Sequence, residues 1–157
     1  MLDTELDLGS ESNSESKNSL RLWLNLYKCT KQLEQEMSDR FRENYSSTFP
    51  RFDVLAHLYQ AGKKGMSTSL LGNSLMASKG NISRLLDRME EDGLLERKLS
   101  EKDRRVSVVY MTDTGAELFK QMASHHEAWT LEVFKSISAA EKEDLLALLK
   151  RVRNTVA

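Results

Sequence analysis

Between residues 78 and 105 the chain reads SKGNISRLLDRMEEDGLLERKLSEKDRR, a stretch rich in small, amide and cationic side chains suited to an anionic polymer. Ile82, Leu85, Leu86 and Met89 recur at helical spacing, Ser78 can cap the N-terminus, and Gly93 stands where helices commonly end. One amphipathic helix accounts for the pattern. Behind the Ser78 cap, its first turn carries Lys79, Gly80, Asn81, Ser83 and Arg84, groups that can enter a DNA major groove while the apolar stripe stays in a core. Next come a short apolar run, a charged turn holding Asp103, Arg104 and Arg105, and an alternating run from Val106 to Thr112. The order is helix, strand, basic tip, strand.

Each of these side chains also has a plainer use. Asn81 suits an adenine edge or a phosphate, yet it can equally stabilise the first helical turn. Arg84 is a base or phosphate contact, or a surface charge. Arg88 lies one turn farther along and can instead pair with Glu91 or Asp92 at helical spacing. Lys98, Lys102 and Arg104 are placed to track phosphates, and any one of them can be merely solvated.

Other chemistries find little support. No nucleophile-base pair, metal cluster or phosphate-binding glycine loop is evident, and Gly62 and Gly65 do not form one, so an enzyme and a bound cofactor are not expected. The single cysteine, Cys29, has no intrachain partner and no CxxC spacing. His125 and His126 are adjacent, without the i, i+4 geometry of a shared metal site. The N-terminus lacks a basic region followed by an apolar run, and no apolar stretch approaches the roughly 18 residues of a membrane span. The setting expected is reducing and cytoplasmic, without a membrane partner.

The elements that must position the reading stretch follow from composition and periodicity. Hydrophobic residues make up 39% and charged residues 30% of 157, with one Pro, which favours a mainly α protein. The net charge of -1 argues against nucleic acid only superficially, because residues 1–16 hold Asp3, Glu5, Asp7, Glu11 and Glu15 and no Lys or Arg. Without them 23 basic residues face 19 acidic ones (24 less 5), and the local field governs contact.

Residues 1–18 read as a disordered acidic tail, and 19–157 as a single domain. A helix is expected over 19–44, where Leu20, Leu22, Trp23, Leu24, Leu26 and Tyr27 occupy more than one face. Packing on its own domain and on a second subunit explains that excess, as would a fully buried helix. Pro50 suits the first turn of a second helix whose Phe52, Val54, Leu55, Leu58 and Tyr59 face inward until Gly62 and Gly65. Ser67 or Thr68 can cap a short helix with Leu70, Leu71 and Leu75, followed by a turn at Met76 and Ala77. Gly72 inside it implies close packing or simple tolerance. Thr112 can cap a long helix through Leu118, Met122, Trp129, Val133 and Phe134. Ser138 and Glu141 form a capping-box spacing before a stripe of Leu145, Leu148, Leu149 and Val152.

With these pieces in order, the sequence resembles the multiple-antibiotic-resistance-regulator (MarR) family of winged helix-turn-helix transcription factors over roughly Ser19 to Val152. The most specific part is MSTSLLGNSLMASKGNISRLLDRMEEDGLLERKLSEKDRRVSVVYMTDTGAEL. It unites a helix-turn-helix, a Gly-ended recognition helix, a DxR wing and a Thr-x-x-Gly helix start. The resemblance implies a winged helix-turn-helix over about 50–112 and dimerisation helices over about 19–44 and 113–153. It also implies a homodimer reading double-stranded DNA at an imperfect palindrome, with Arg105 in the minor groove and Asp103 bracing the wing. An Arg there is physically sensible, since narrow minor grooves concentrate negative potential.

The same resemblance implies a repressor released by a small aromatic or anionic effector, bound in a cleft whose elements supply Trp23, Tyr27, Arg51, Phe52 and His57. Trp23, Tyr27 and Phe52 also suit ordinary core or dimer roles, while Arg51 beside aromatic residues can receive a carboxylate or phosphate. LRLWLNLYKCT and TFPRFDVLAHL are similar to the branch controlling aromatic-acid catabolism, some members of which respond to aryl-CoA thioesters. Cys29 follows Tyr27, whereas the peroxide-responsive branch carries its reactive Cys one turn before a Tyr, where this chain has Trp23. Cys29 is therefore read as a plain helical thiol. The rival reading is a winged-helix module that binds protein partners without a ligand response, which has less need for Lys98, Lys102, Arg104 and Arg105 together.

Overall fold

Helix α1 spans Ser14–Tyr45 in a computed structural model that describes residues 14–75, 82–100 and 103–156. The helix starts before the expected Ser19, so residues 14–18 are not part of a tail. No Gly or Pro interrupts that segment, and a helix already nucleated extends at little cost through such residues, with Glu15 favourable in the first turn. Spaced pairs Lys31–Glu34, Glu36–Arg40 and Asp39–Arg42 line its exposed side. At its end Ser46 takes a positive φ of 49°, and the Ser46 and Ser47 amides donate to the Arg42 and Phe41 carbonyls.

The chain divides between Arg51 and Phe52 into two units. Helix α2 runs Phe49–Ala61 with Pro50 in its first turn, where a missing amide costs nothing. In the second unit Val54, Leu55 and Leu58 of α2 are almost fully buried, and Phe52 is 8% exposed. Tyr59, expected to face inward, is 48% exposed: its ring leans on Phe119 at 4.8 Å and its edge meets solvent. A 3-10 turn at Gly62–Lys64 leads into β1, Met66–Ser67. This strand was not legible in the sequence, because two residues are too few to display alternation.

Helix α3 spans Thr68–Ser74, and Ser67 is its cap, its Oγ accepting from the Leu70 amide at 3.2 Å. Leu71 is fully buried, while Leu70 is 55% exposed and does not join the core. The expected turn residues Met76 and Ala77 lie outside the described residues. Helix α4 covers Ile82–Glu91, and the Ile82 Cδ1 atom lies 3.1 Å from where a Cβ on Gly72 would sit. Close packing of α3 on α4 thus accounts for Gly72. Gly93 ends the turn after α4 with φ +72°, its amide donating to the Glu90 carbonyl and that of Leu94 to Met89.

Strands β2, Leu95–Leu99, and β3, Ser107–Met111, form an antiparallel hairpin, and β3 also pairs with β1, giving the order β1-β3-β2. The ladder sets Leu95 opposite Met111 and Leu99 opposite Ser107. Leu71, Leu75, Leu86, Met89, Leu94, Leu95 and Val109 join the α2 residues in one core. Helix α5, Asp113–Val133, starts at Thr112, whose Oγ1 accepts from the Gly115 amide and donates to the Gly93 carbonyl at 2.6 Å. The Thr112 amide donates to the Leu94 carbonyl. One residue therefore ties the end of the α4 turn to the start of α5.

Helix α6, Ala139–Val156, opens on the expected capping box: Ser138 Oγ accepts from the Glu141 amide, and Glu141 accepts from the Ser138 amide and hydroxyl. Those bonds hold the Glu141 carboxyl below its ordinary value. None of the α6 residues is buried, and Leu145, Leu146, Leu148 and Val152 are exposed.

A Cβ at residue 115 would fall 2.1 Å from the Leu94 carbonyl oxygen, which is fixed by its bond to Thr112. Gly115→Ala should therefore destabilise the fold by about 1–3 kcal/mol or more, read as a lowered midpoint in urea unfolding. A midpoint equal to that of the parent chain would show that this junction yields.

Candidate nucleic-acid interface

Burial of Leu86 and Met89 leaves the opposite side of α4 to solvent, and Ser83, Arg84, Asp87, Arg88 and Glu91 are all exposed there. Arg84 and Arg88 are one turn apart and share a face. Ser78, Lys79, Gly80, Asn81 and Lys102 lie outside the described residues.

The hairpin carries the second cationic feature. Its connection is closed by the Ser100 amide donating to the Val106 carbonyl at 2.8 Å and the Val106 amide to the Asp103 carbonyl at 2.9 Å. Asp103 Oδ1 accepts from the Arg105 amide at 3.0 Å and lies 3.7 Å from the Arg105 Nε. Asp103 thus organises the turn around the residue that it presents. Arg105 has a side chain 94% exposed, the condition for entering a groove, and Arg104 is exposed beside it. Lys98 is less free than expected, because its Nζ pairs with Glu96 at 2.6 Å and lies 5.7 Å above the Tyr110 ring. The pair raises the Lys98 pKa, but both side chains are about half exposed or more, so solvent leaves it little strength.

Arg97 was not singled out in the sequence, and it proves to be the best-connected cation of the region. Its Nη2 lies 2.7 Å from Asp87 Oδ1 and 2.6 Å from Glu90 Oε2, its Nε donates to Glu90 Oε2 at 2.9 Å, and its amide donates to Glu90 Oε1 at 2.8 Å. The side-chain bond to Arg97, then its amide, hold the Glu90 carboxyl below the usual range, and the two carboxylates raise Arg97. A signal was present: Arg97 falls in the same phase of β2 as Leu95, where an apolar residue is normal. An Arg there calls for carboxylates, and Asp87 and Glu90 sit one turn apart on the preceding helix.

The residues read as a ligand set belong to both units. In the first, Trp23 and Tyr27 stack at 5.8 Å with 12° between planes, and they are 59% and 55% exposed. Arg51 is half-buried and Cys29 exposed. In the second, Phe52 is a core residue stacked on Phe119 at 5.5 Å with the His126 ring edge-on at 5.2 Å, and His57 Nε2 lies 3.6 Å from Asp53 Oδ1. Burial lowers the pKa of His126. Among the described residues no group of His, Cys, Asp and Glu is placed to hold a metal, and no helix is long and apolar enough to cross a membrane.

Two short helices, the second carrying exposed cations, followed by a hairpin with an outward Arg, define a winged-helix DNA-binding fold. A model of the MarR family matches residues 47–106. The HTH-type transcriptional regulator PecS of Dickeya dadantii (strain 3937) is 33% identical over 115 residues, covering 73% of this chain and 69% of the relative. The chain belongs to the MarR family of DNA-binding transcriptional regulators, whose matched members are not enzymes. Among solved structures, Sco3205 of Streptomyces coelicolor, a MarR family regulator in complex with DNA, superposes with a TM-score of 0.81 at 16% identity, covering 94% and 92% of the two chains. PcaV of Streptomyces coelicolor, in complex with its natural ligand, gives 0.69 at 19% identity, covering 82% and 92%.

A carboxylate whose folded pKa is depressed adds stability that is complete above its unfolded value and lost as pH falls through the folded one. Glu90→Gln should therefore cost no more than about 1 kcal/mol at neutral pH, given the exposure of Glu90, and the cost should fade as the pH falls below the ordinary carboxylate range. Urea unfolding of both chains across that range checks it, and a gap independent of pH would contradict the assignment.

Proposed function

We propose that the protein is a homodimeric repressor that reads an imperfect palindrome in double-stranded DNA and is released by a small aromatic or anionic effector. The observation that carries the reading is Arg105, its side chain 94% exposed on a turn that Asp103 braces, together with a helix exposing Arg84 and Arg88. In this reading α4 enters the major groove, with Ser78, Lys79, Gly80, Asn81, Ser83 and Arg84 nearest the bases. Arg105 enters the adjacent minor groove, while Arg88, Lys98, Lys102 and Arg104 follow phosphates.

Exposed Leu145, Leu146, Leu148 and Val152 on α6, and Leu22, Trp23 and Tyr27 on α1, support a second copy as partner, since this chain leaves them uncovered. Two copies related by a two-fold axis would read half-sites about 10 base pairs apart, one turn of B-DNA. The stacked Trp23 and Tyr27 pair and Arg51 are the residues we assign to an effector such as an aromatic acid or its CoA thioester. PcaV, of the same fold, is solved with its natural ligand, so the fold is able to hold one. Phe52 and His57 are the remaining members of that assignment, and Phe52 is 8% exposed. Release requires the effector to bind the DNA-free form more tightly than the bound one.

Arg105→Ala is the direct test, made on a duplex selected from a random pool by the parent chain. Binding should weaken by roughly tenfold or more, and the slope of log affinity against log salt should fall by about one. Equal affinity at several salt concentrations would remove Arg105 from the interface.

A further inference from the structure

Helix α4, Ile82–Glu91, carries three carboxylates, Asp87, Glu90 and Glu91, against the two guanidiniums of Arg84 and Arg88. Carboxylates on a helix that approaches phosphates oppose binding locally, whatever the total charge. The imbalance is corrected from outside the helix. Arg97, on β2, holds both Asp87 and Glu90 with one guanidinium at 2.7 and 2.6 Å, and its amide adds a bond to the second Glu90 oxygen. At 29% side-chain exposure, this fork is better shielded from solvent than the Lys98–Glu96 or Arg105–Asp103 pairs.

The same fork has a mechanical effect. Arg97 pairs with Val109 in the middle of the hairpin, while Leu99 and Ser107 begin the turn that carries Arg105. The hairpin is therefore fastened to α4 partway along its length, in addition to its fixed root at Leu94, Leu95 and Thr112. Strand β3 is held by β1 at Val108 and Val109 and by the Thr68 hydroxyl donating to the Ser107 carbonyl at 3.3 Å, whereas β2 is the outer strand of the sheet. The fork ties that outer strand to α4, and without it β2 and the turn beyond it can twist away from the helix.

We infer that Arg97 is a positioning residue of the DNA reader: it neutralises two carboxylates on the recognition helix and fixes the angle at which the wing presents Arg105. The inference rests on the DNA reading proposed above. Arg97 touches no base in this arrangement; it acts through Asp87, Glu90 and the hairpin.

The test uses the full chain, a duplex selected from a random pool by the parent chain, and hydroxyl-radical footprinting of both grooves. Arg97→Gln should weaken binding by at least roughly tenfold through the uncovered carboxylates, and should lose the flanking minor-groove protection before the major-groove protection. The triple variant Asp87→Asn, Glu90→Gln, Arg97→Gln removes the repulsion but leaves the outer strand loose. It should recover most of the affinity while the minor-groove protection stays absent. Arg97→Lys keeps the charge without the fork and should give an intermediate footprint, which keeps the test decisive if Arg97→Gln fails to fold.

Parent-like affinity and footprint in Arg97→Gln would overturn the inference. So would a uniform loss of both protections that follows the loss of folded protein in thermal melts. Failure of the parent chain itself to select any duplex is a different result, and overturns the DNA reading together with this inference.

Discussion

A helix and a hairpin can read one duplex together only if the angle between them is held, and here the hold is a guanidinium shared by two carboxylates. Arg97 reaches from β2 to Asp87 and Glu90 of α4, so the groove-facing helix and the wing are parts of a single braced body. The brace depends on backbone joints on either side. Gly93 turns the chain out of α4, Leu94 gives its carbonyl to Thr112, and Gly115 lets α5 start against that carbonyl. Behind them Leu86, Met89, Leu95 and Val109 supply the apolar core on which helix and hairpin both rest.

Charge in this protein is local rather than global. A net charge of -1 conceals a wing tip with Arg104 and Arg105 exposed, and a helix face on which Arg84 and Arg88 are exposed while Asp87 is engaged by Arg97. Association with an anionic polymer responds to that surface arrangement and not to the total. Arg105 and Arg97 illustrate two uses of the same side chain: one is exposed on a turn that Asp103 braces, and the other is engaged internally by Asp87 and Glu90.

Most of the fold was legible wherever a local pattern decides structure. The apolar spacing of Leu86 and Met89, the caps at Ser67, Thr112 and Ser138, and the stop at Gly93 are short-range signals, and each matches an observed contact. What escaped depends on tertiary pairing. Strand β1 exists because β3 lies beside Met66 and Ser67, and nothing within those two residues announces it. Tyr59 and Leu70 are apolar in sequence and exposed in place, since helical phase alone does not say where a neighbouring element stops. Arg97 carried a signal in its strand phase with Leu95, but its partners became evident only when Asp87 and Glu90 came to face it. Of the residues read as DNA contacts, Ser83, Arg84, Arg88, Lys98, Asp103, Arg104 and Arg105 are described, and the Arg105 side chain is 94% exposed on a turn that Asp103 braces.

In the proposed dimer the apolar residues exposed on α1 and α6 would meet the second copy, and that contact would set the spacing at which two recognition helices meet the duplex. The most direct measurement is genome-wide capture of the fragments bound by the full chain in the cell that makes it. The expected result is a set of discrete enriched sites sharing an imperfect palindrome with half-sites about 10 base pairs apart. Fragments with no enriched sequence would contradict the reading of α4 and the wing as a sequence-specific reader.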